Sequence, residues 1–412
     1  MQSHDRIVIV GAGVFGLSTA LELRQRGYHD ITVLDRSMPP VSDGSSVDIS
    51  RIIRFDYADP VYAAMAKDAY DLWGTAPEYE GSFDHTPITL AAGTVKGRGY
   101  INKSEEVLKR LGQPVNKSSG AQDVRERFPS LSGPLAGPDF FGYCNSGLMD
   151  RCVAAGISFV CGSRGTVIEL IKGSDGKVQA VRTKSGPAIE GDHFILASGA
   201  WTSSIVPMYN TTMATGQVLG FLRLSQDDMN QLKDMPTYIN YDSGWFCFPP
   251  HTDTGYLKMA VHGYGYTSTG RNQVSTPPLD ARSRRADFVP VDGAARLQAG
   301  LAEILPELAT RQFERTAVCW YTDTPTGDFI MDHHPDADDL FLANGGSGHG
   351  FKFLPVLGRY IADAFEGKLP EEMKDKWRFR RELAGKSDAF EGDGSRGGPL
   401  RRELTSDERA RL

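Results

Sequence analysis

A handful of side chains in this sequence are of types that could do chemistry, and each is ambiguous when taken alone. Lys258 stands in the apolar run Tyr256-Leu257-Lys258-Met259-Ala260-Val261-His262. A lysine there is either a strand-edge cation reaching for solvent or a partly desolvated charge held over a reacting centre. His262 falls on the same strand face by the alternation of side chains, and a strand histidine serves structure as readily as proton transfer. Arg51 and Arg54, in Ser50-Arg51-Ile52-Ile53-Arg54, are surface charge or a pair of donors matched to a carboxylate by the guanidinium fork. Lys352 follows a glycine-rich turn where a helical pattern begins. Helix N-termini disfavour cations, so the position asks for an anionic neighbour. Cys319, ahead of Trp320-Tyr321, carries no information by itself.

The elements that must position these groups are easier to read. Gly11-Ala12-Gly13-Val14-Phe15-Gly16 follows the apolar run Ile7-Val8-Ile9-Val10 and opens a helical pattern with Leu17, Ala20 and Leu21 on one face. This is strand, tight turn, helix. The first glycine permits the turn, the second lets backbone approach a pyrophosphate, and the third lets the helix pack closely on the strand. A second strand, Ile31-Thr32-Val33-Leu34, ends in Asp35, an acid placed to bond an adenosine ribose. Framed in this way the motif reads as a dinucleotide site, without distinguishing FAD from NAD.

Two further runs predict returns to the same sheet. His193–Ala197 leads into Ser198-Gly199-Ala200-Trp201, and Leu340–Ala343 leads into Gly345-Gly346-Ser347-Gly348-His349-Gly350. A helical pattern follows the second through Leu354, Leu357, Ile361 and Phe365. Alternating, aromatic-rich runs within residues 217–310, Trp245-Phe246-Cys247-Phe248 among them, predict antiparallel strands of a separate lobe. Ala294 to Ile304 reads as a helix. The expected organisation is a discontinuous nucleotide domain (1–85, 150–216 and 315–370), a second domain (86–149 and 217–314), and a flexible, glycine- and charge-rich tail over 385–412.

Composition narrows the classes. A chain of 412 residues exceeds one ordinary domain, and 40% hydrophobic with 24% charged residues describes a globular protein. A net charge of −7 argues against nucleic-acid or anionic-membrane partners. No run approaches the about 20 apolar residues of a membrane span, and no basic-then-apolar leader precedes the first strand. The five cysteines, Cys144, Cys152, Cys161, Cys247 and Cys319, lack paired spacing and read as reduced thiols. No CxxC or HxxxH spacing suggests a metal. Ala410-Arg411-Leu412 has the small-basic-leucine form of a peroxisomal address, so a peroxisomal import receptor is an expected partner, with the cytoplasm as the alternative location.

Five blocks together carry a resemblance: VIVGAGVFGLSTALEL, SRIIRFDY, LASGAW, LKMAVH, and CWYTDTPTGDFIMDHHP running on to GGSGHGFKFLPVLG. The chain resembles the flavoprotein amine oxidases grouped with monomeric sarcosine oxidase, pipecolate oxidase and saccharopine oxidase, with the fructosyl amino acid oxidases (amadoriases) as relatives. The resemblance covers all but about the last 30 residues. It implies an α/β plus antiparallel-sheet fold of the D-amino acid oxidase type, with a Rossmann-like, glutathione-reductase-like FAD domain and a second sheet-based substrate domain. It also implies a monomer.

Carried over residue by residue, the resemblance gives FAD attached covalently through Cys319, a bond that needs a thiolate in an electropositive setting. Lys258 would activate dioxygen beside the flavin, and Arg51 would help set the field there. Arg54 and Lys352 would grip the substrate carboxylate, while His262 and Tyr321 line the substrate site. Phe246 stands about where the sarcosine enzyme has a tyrosine. Val14, Phe15, Arg36, Ser46, Arg51, Trp201, Gly348 and Lys352 join Gly11, Gly13, Gly16 and Asp35 around the cofactor.

The implied reaction oxidises a secondary amine to an imine and reduces oxygen to hydrogen peroxide, without demanding a strong protein base. His262 stands where amadoriases carry a glutamate, and Arg51 where they tend to have lysine. Both differences favour a secondary amino acid such as sarcosine, pipecolate or saccharopine over a fructosyl amino acid. Loops controlling pocket size are expected within 56–64 and 85–150. An NAD-dependent dehydrogenase or a non-oxidase flavoprotein shares the first motif, but needs neither Cys319 nor the Lys258 strand.

Overall fold

The strand Arg6–Val10 buries all but its first residue, with Ile7 and Ile9 fully inaccessible. Apolar residues on both faces are what a strand covered from both sides requires. It lies in the middle of a six-stranded sheet, paired in parallel with Asp30–Leu34 on one side and His193–Leu196 on the other. Ala337–Asn344 extends the sheet in parallel beyond His193–Leu196, and Ile330–His334 adds an antiparallel edge. Ser158–Val160 closes the opposite edge. The expected returns at 193–197 and 340–343 are therefore strands of this sheet. The computed structural model describes residues 2–41, 43–80, 86–137, 139–147, 158–270, 273–278, 287–383 and 392–412. Cys152 and the domain limits drawn at 85 and 150 fall outside them.

The helix Val14–Gln25 packs on the sheet through Thr19, Ala20 and Leu23, all fully buried. Leu21, expected on that face, is 39% exposed at the mouth of the main cavity. Its place in the packing is taken by Leu23. The helices Pro60–Thr75 and Leu354–Phe365 complete this core against Phe329, Phe341 and Trp377. The former starts cleanly because Pro60 occupies the first turn and the Asp59 carboxylate accepts from Tyr62 N at 3.0 Å.

A ten-stranded sheet forms the second layer, organised on the long strand Met213–Arg223. That strand pairs antiparallel with Tyr256–Val261 and, along its other edge, with Arg315–Asp323. Trp245–Cys247 pairs antiparallel with Tyr256–Val261, as the alternating pattern predicts, and Val291–Ile304 is the expected helix beneath the sheet.

Two boundaries need correction. The limit at 216/217 cuts through Met213–Arg223, and Arg315–Asp323, assigned to the nucleotide domain, is a strand of the second sheet. Backbone pairing overrides a division drawn from composition, because a strand cannot be split without orphaning its ladder.

The tail is the larger correction. Its first part, 385–391, lies outside the described residues, but 392–412 is ordered and packed. Arg402–Glu403 adds a strand to the large sheet, and a capping box at Thr405 and Glu408 opens the helix Ser406–Arg411. Leu404 and Leu412 are 2% and 5% exposed in the core beneath that sheet. The expected solvated address is thus docked, with Arg411 over the Phe288 ring. Glycine and charge concealed this order, because the segment is held by ion pairs and two isolated leucines rather than by an apolar stripe.

Candidate active site

One cavity of about 1480 Å³ runs from the first glycine turn, between the two sheets, to the ring cluster around Tyr57. At its entrance the backbone is shaped by exclusion. Gly11 has φ +114°, and a Cβ there would stand 2.3 Å from the Ala197 carbonyl oxygen. A Cβ on Gly16 would stand 1.9 Å from the Gly11 carbonyl oxygen, so the helix rests directly on the turn. Gly16 does not itself reach the cavity; Gly11, Gly13, Val14 and Phe15 do.

Ser46 Oγ accepts from Val14 N at 2.9 Å, and the first helical turn carries no acid to compete with an anion. The Asp35 carboxylate accepts from Ala12 N at 2.6 Å, and burial holds its carboxyl above the usual range despite that bond. Arg36 lies 4.1 Å above the Trp201 ring and pairs with Asp43 at 2.9 Å. An anion-accepting helix start, an inward-facing acid and a long cavity leading away from them fit an elongated dinucleotide.

Farther in, the cations cluster. Lys258, only 3% exposed, donates from Nζ to the Ser50 carbonyl at 2.7 Å, pairs with Asp48 at 2.9 Å, and lies 4.5 Å from the Phe248 ring centre. Arg51 pairs with the same Asp48 carboxylate at 2.9 Å. One acid thus bridges both cations and keeps them compatible with burial. Sequence reasoning missed Asp48, since nothing in Val47-Asp48-Ile49 marks it. Cys319 is 7% exposed on the same wall, opposite Gln217 in the strand register and beside Phe246 and Tyr321 in one apolar cluster.

At the inner end Tyr57 organises the site. Arg54 lies 5.1 Å from its ring centre, and Lys352 donates to its hydroxyl at 2.8 Å and to the His349 carbonyl at 3.0 Å. Lys352 sits in a single turn of 3-10 helix, Phe351–Phe353, ahead of the α-helix where the sequence placed it. Burial, and then the Arg54 charge, hold its amine well below the ordinary lysine value, with Asp393 opposing. An anion between these two cations would relieve both.

His262 and Tyr321 face each other with ring centres 5.9 Å apart, and Gly348 lies against the Tyr321 ring. Burial and the nearby Arg396 keep His262 well below its ordinary value, so it is neutral at physiological pH. The described part of residues 85–150 contributes nothing to the cavity wall. Instead Tyr241, Asp393 and Ser395 do, and no motif or periodicity marks any of them. Apart from Gly16, all the residues singled out from the sequence line this one cavity.

Comparison with known proteins agrees. Residues 6–364 match the family described as FAD dependent oxidoreductase. The chain is 31% identical over 411 residues to L-saccharopine oxidase of Schizosaccharomyces pombe, covering 91% of this chain and 93% of that protein. It is 27% identical over 392 residues to monomeric sarcosine oxidase of a Bacillus species, covering 90% and 95%. Among solved structures, the deglycating fructosamine oxidase of Aspergillus fumigatus (Amadoriase II) superposes with a TM-score of 0.84 at 26% identity, covering 98% of this chain and 96% of that one. With the fold, the glycine cradle and these relatives in agreement, the chain belongs to the FAD dependent oxidoreductase family, in its group of sarcosine oxidases, saccharopine oxidase and amadoriases.

Proposed function

We propose that this flavin oxidase acts on a secondary amino acid, such as sarcosine, pipecolate or saccharopine, converting its C–N bond to an imine while oxygen is reduced to hydrogen peroxide. The observation that carries the reading is the buried pair of cations, Arg54 and Lys352, converging on Tyr57 in the same cavity as Lys258. Arg54 and Lys352 hold the substrate carboxylate, which fixes the amine end toward the middle of the cavity. Neutral His262 and Tyr321 line the amine, and Phe246 supplies an apolar wall. Lys258, kept in place by Ser50 and Asp48, offers its positive charge where oxygen acquires negative charge. Bound FAD supplies the two-electron acceptor and the reaction with oxygen, and Cys319 is the residue that would tether it. A linear imine is then hydrolysed by water, whereas a cyclic imine can persist.

A fructosyl amino acid is the second reading, favoured by the similarity to Amadoriase II. His262 in place of a carboxylate speaks against it. The protein acts as a monomer on this reading. Its delivery to peroxisomes through Ala410-Arg411-Leu412 requires the terminal helix to lift, because Leu412 is packed in the core.

The deciding experiment is the visible spectrum of the purified protein before and after acid precipitation, then with each amine under anaerobic conditions. Yellow colour retained in the pellet supports the Cys319 tether, and Cys319→Ser should release it to the supernatant. Bleaching by sarcosine, pipecolate or saccharopine but not by fructosyl valine supports the secondary amino acid. The reverse pattern overturns it.

A further inference from the structure

The segment 392–397 crosses the inner end of the cavity as a strap, and its anchoring is firm. Arg396 is 5% exposed, donates to the Gly263 carbonyl at 2.8 Å and the Ser347 carbonyl at 3.0 Å, and pairs with buried Asp323. Gly397 threads so closely that a Cβ there would stand 2.4 Å from Gly244 N. The strap delivers Ser395 to His262: Oγ lies 3.1 Å from His262 Nε2 and 2.5 Å from Asp393 Oδ1, which also accepts from Ser395 N at 3.0 Å.

We propose that the strap fixes the proton of His262 on Nε2, so that Nδ1 faces the cavity as the hydrogen-bond acceptor for the substrate's amine N–H. This rests on the reading of the substrate as a secondary amine. The geometry leaves one assignment. An ionised carboxylate only accepts, and a serine hydroxyl has a single proton. That proton is committed to Asp393, so Ser395 Oγ meets His262 Nε2 with a lone pair, and Nε2 must be the donor. A neutral imidazole protonated at Nε2 carries its lone pair on Nδ1. Among the described residues no hydrogen-bond partner of Nδ1 is found, and His262 lines the cavity.

The neighbours of the ring maintain this state. Arg396, His349, Arg54 and Lys352 face it from three segments and, after burial itself, disfavour the imidazolium. The Tyr321 ring packs beside it. Asp393 stays ionised: burial opposes this, but His349 and the two bonds from Ser395 prevail. The guanidiniums of Arg396 and Arg54 likewise disfavour an incoming ammonium, so the amine is bound neutral, which is the form whose nitrogen lone pair can assist oxidation. Ser395 and Asp393 are therefore positioning residues acting through His262.

The test uses the flavin-loaded protein labelled with 15N-histidine, with the His262 ring signal assigned by its loss in His262→Asn. The expected signal is that of the Nε2–H tautomer. Ser395→Ala should give a mixture of tautomers and slow anaerobic flavin reduction by the best of sarcosine, pipecolate and saccharopine about 10- to 100-fold, the cost of one misdirected hydrogen bond. Reoxidation by oxygen should stay unchanged, and Ser395→Thr should restore both the tautomer and the rate. An Nδ1–H signal in the unaltered protein, or Ser395→Ala reduced at the original rate, would overturn the inference. If none of the three amines reduces the unaltered protein, the functional reading falls, while the ring signal still decides the tautomer.

Discussion

The two ends of the cavity are built on opposite plans. The entrance is backbone: a turn, a helix start and one acid, all within Val10 to Asp35 and tied by contacts such as the bond from Ala12 N to Asp35. The inner end is side chain, gathered from segments around residues 51–57, 239–262, 319–323, 349–352 and 393–396. The first plan tolerates almost no added atom, and the second tolerates substitution but depends on charge balance. Backbone cradles fail by collision, whereas side-chain clusters fail by unpaired charge.

That contrast can be broken at either end. The largest effect is expected from Gly16→Ala, whose new Cβ would stand 1.9 Å from the Gly11 carbonyl. Loss of about 3 kcal/mol or more and a protein purified without flavin should follow, read from the visible-to-ultraviolet absorbance ratio and the thermal midpoint. Retained flavin would mean that the turn yields and that the entrance is no stricter than the inner end.

Next in size is Lys258→Met. Reoxidation by oxygen should slow about 100- to 1000-fold in stopped flow, while anaerobic reduction changes much less. Equal losses in both half-reactions would remove the lysine from the oxygen step. Arg54→Ala comes third, with carboxylate substrates weakened about 10- to 100-fold as one charge-assisted bond is lost. Unchanged affinity would dissolve the clamp.

The smallest effect is a proton. Burial and Arg54 hold the amine of Lys352 low in the ligand-free protein, and a bound carboxylate raises it again. Above the ligand-free value, binding must therefore take up a proton, and affinity should fall as pH rises, by at most about tenfold per unit. Calorimetry with acetate in two buffers of different ionisation enthalpy measures this directly. Binding without proton uptake would show that Lys352 is charged throughout.

Legibility followed the same division. Gly11, Gly16 and Asp35 were readable because a local motif needs particular residues at fixed spacing, and the flanking strands supply its frame. Lys258, Arg54 and Lys352 were individually indistinct, and only the five blocks read together marked them. Asp48, Asp393 and Ser395 were hidden, because a carboxylate or hydroxyl recruited across the fold leaves no periodicity in its own neighbourhood. The tail misled for a related reason. Its order comes from Arg396 meeting Asp323 and from Leu404 and Leu412 reaching a distant core, contacts that no window of sequence contains.

The strap also sets a temporal order. Asp393 and Ser395 follow every other wall residue in the chain, so as synthesis proceeds from the N-terminus the glycine cradle, the Asp48 bridge and the Arg54–Lys352 pair all emerge first. A nascent chain can therefore begin folding around its cofactor while the amine end of the cavity remains unfinished. His262 acquires its serine partner only once residues 392–397 dock against Asp323 and Gly244.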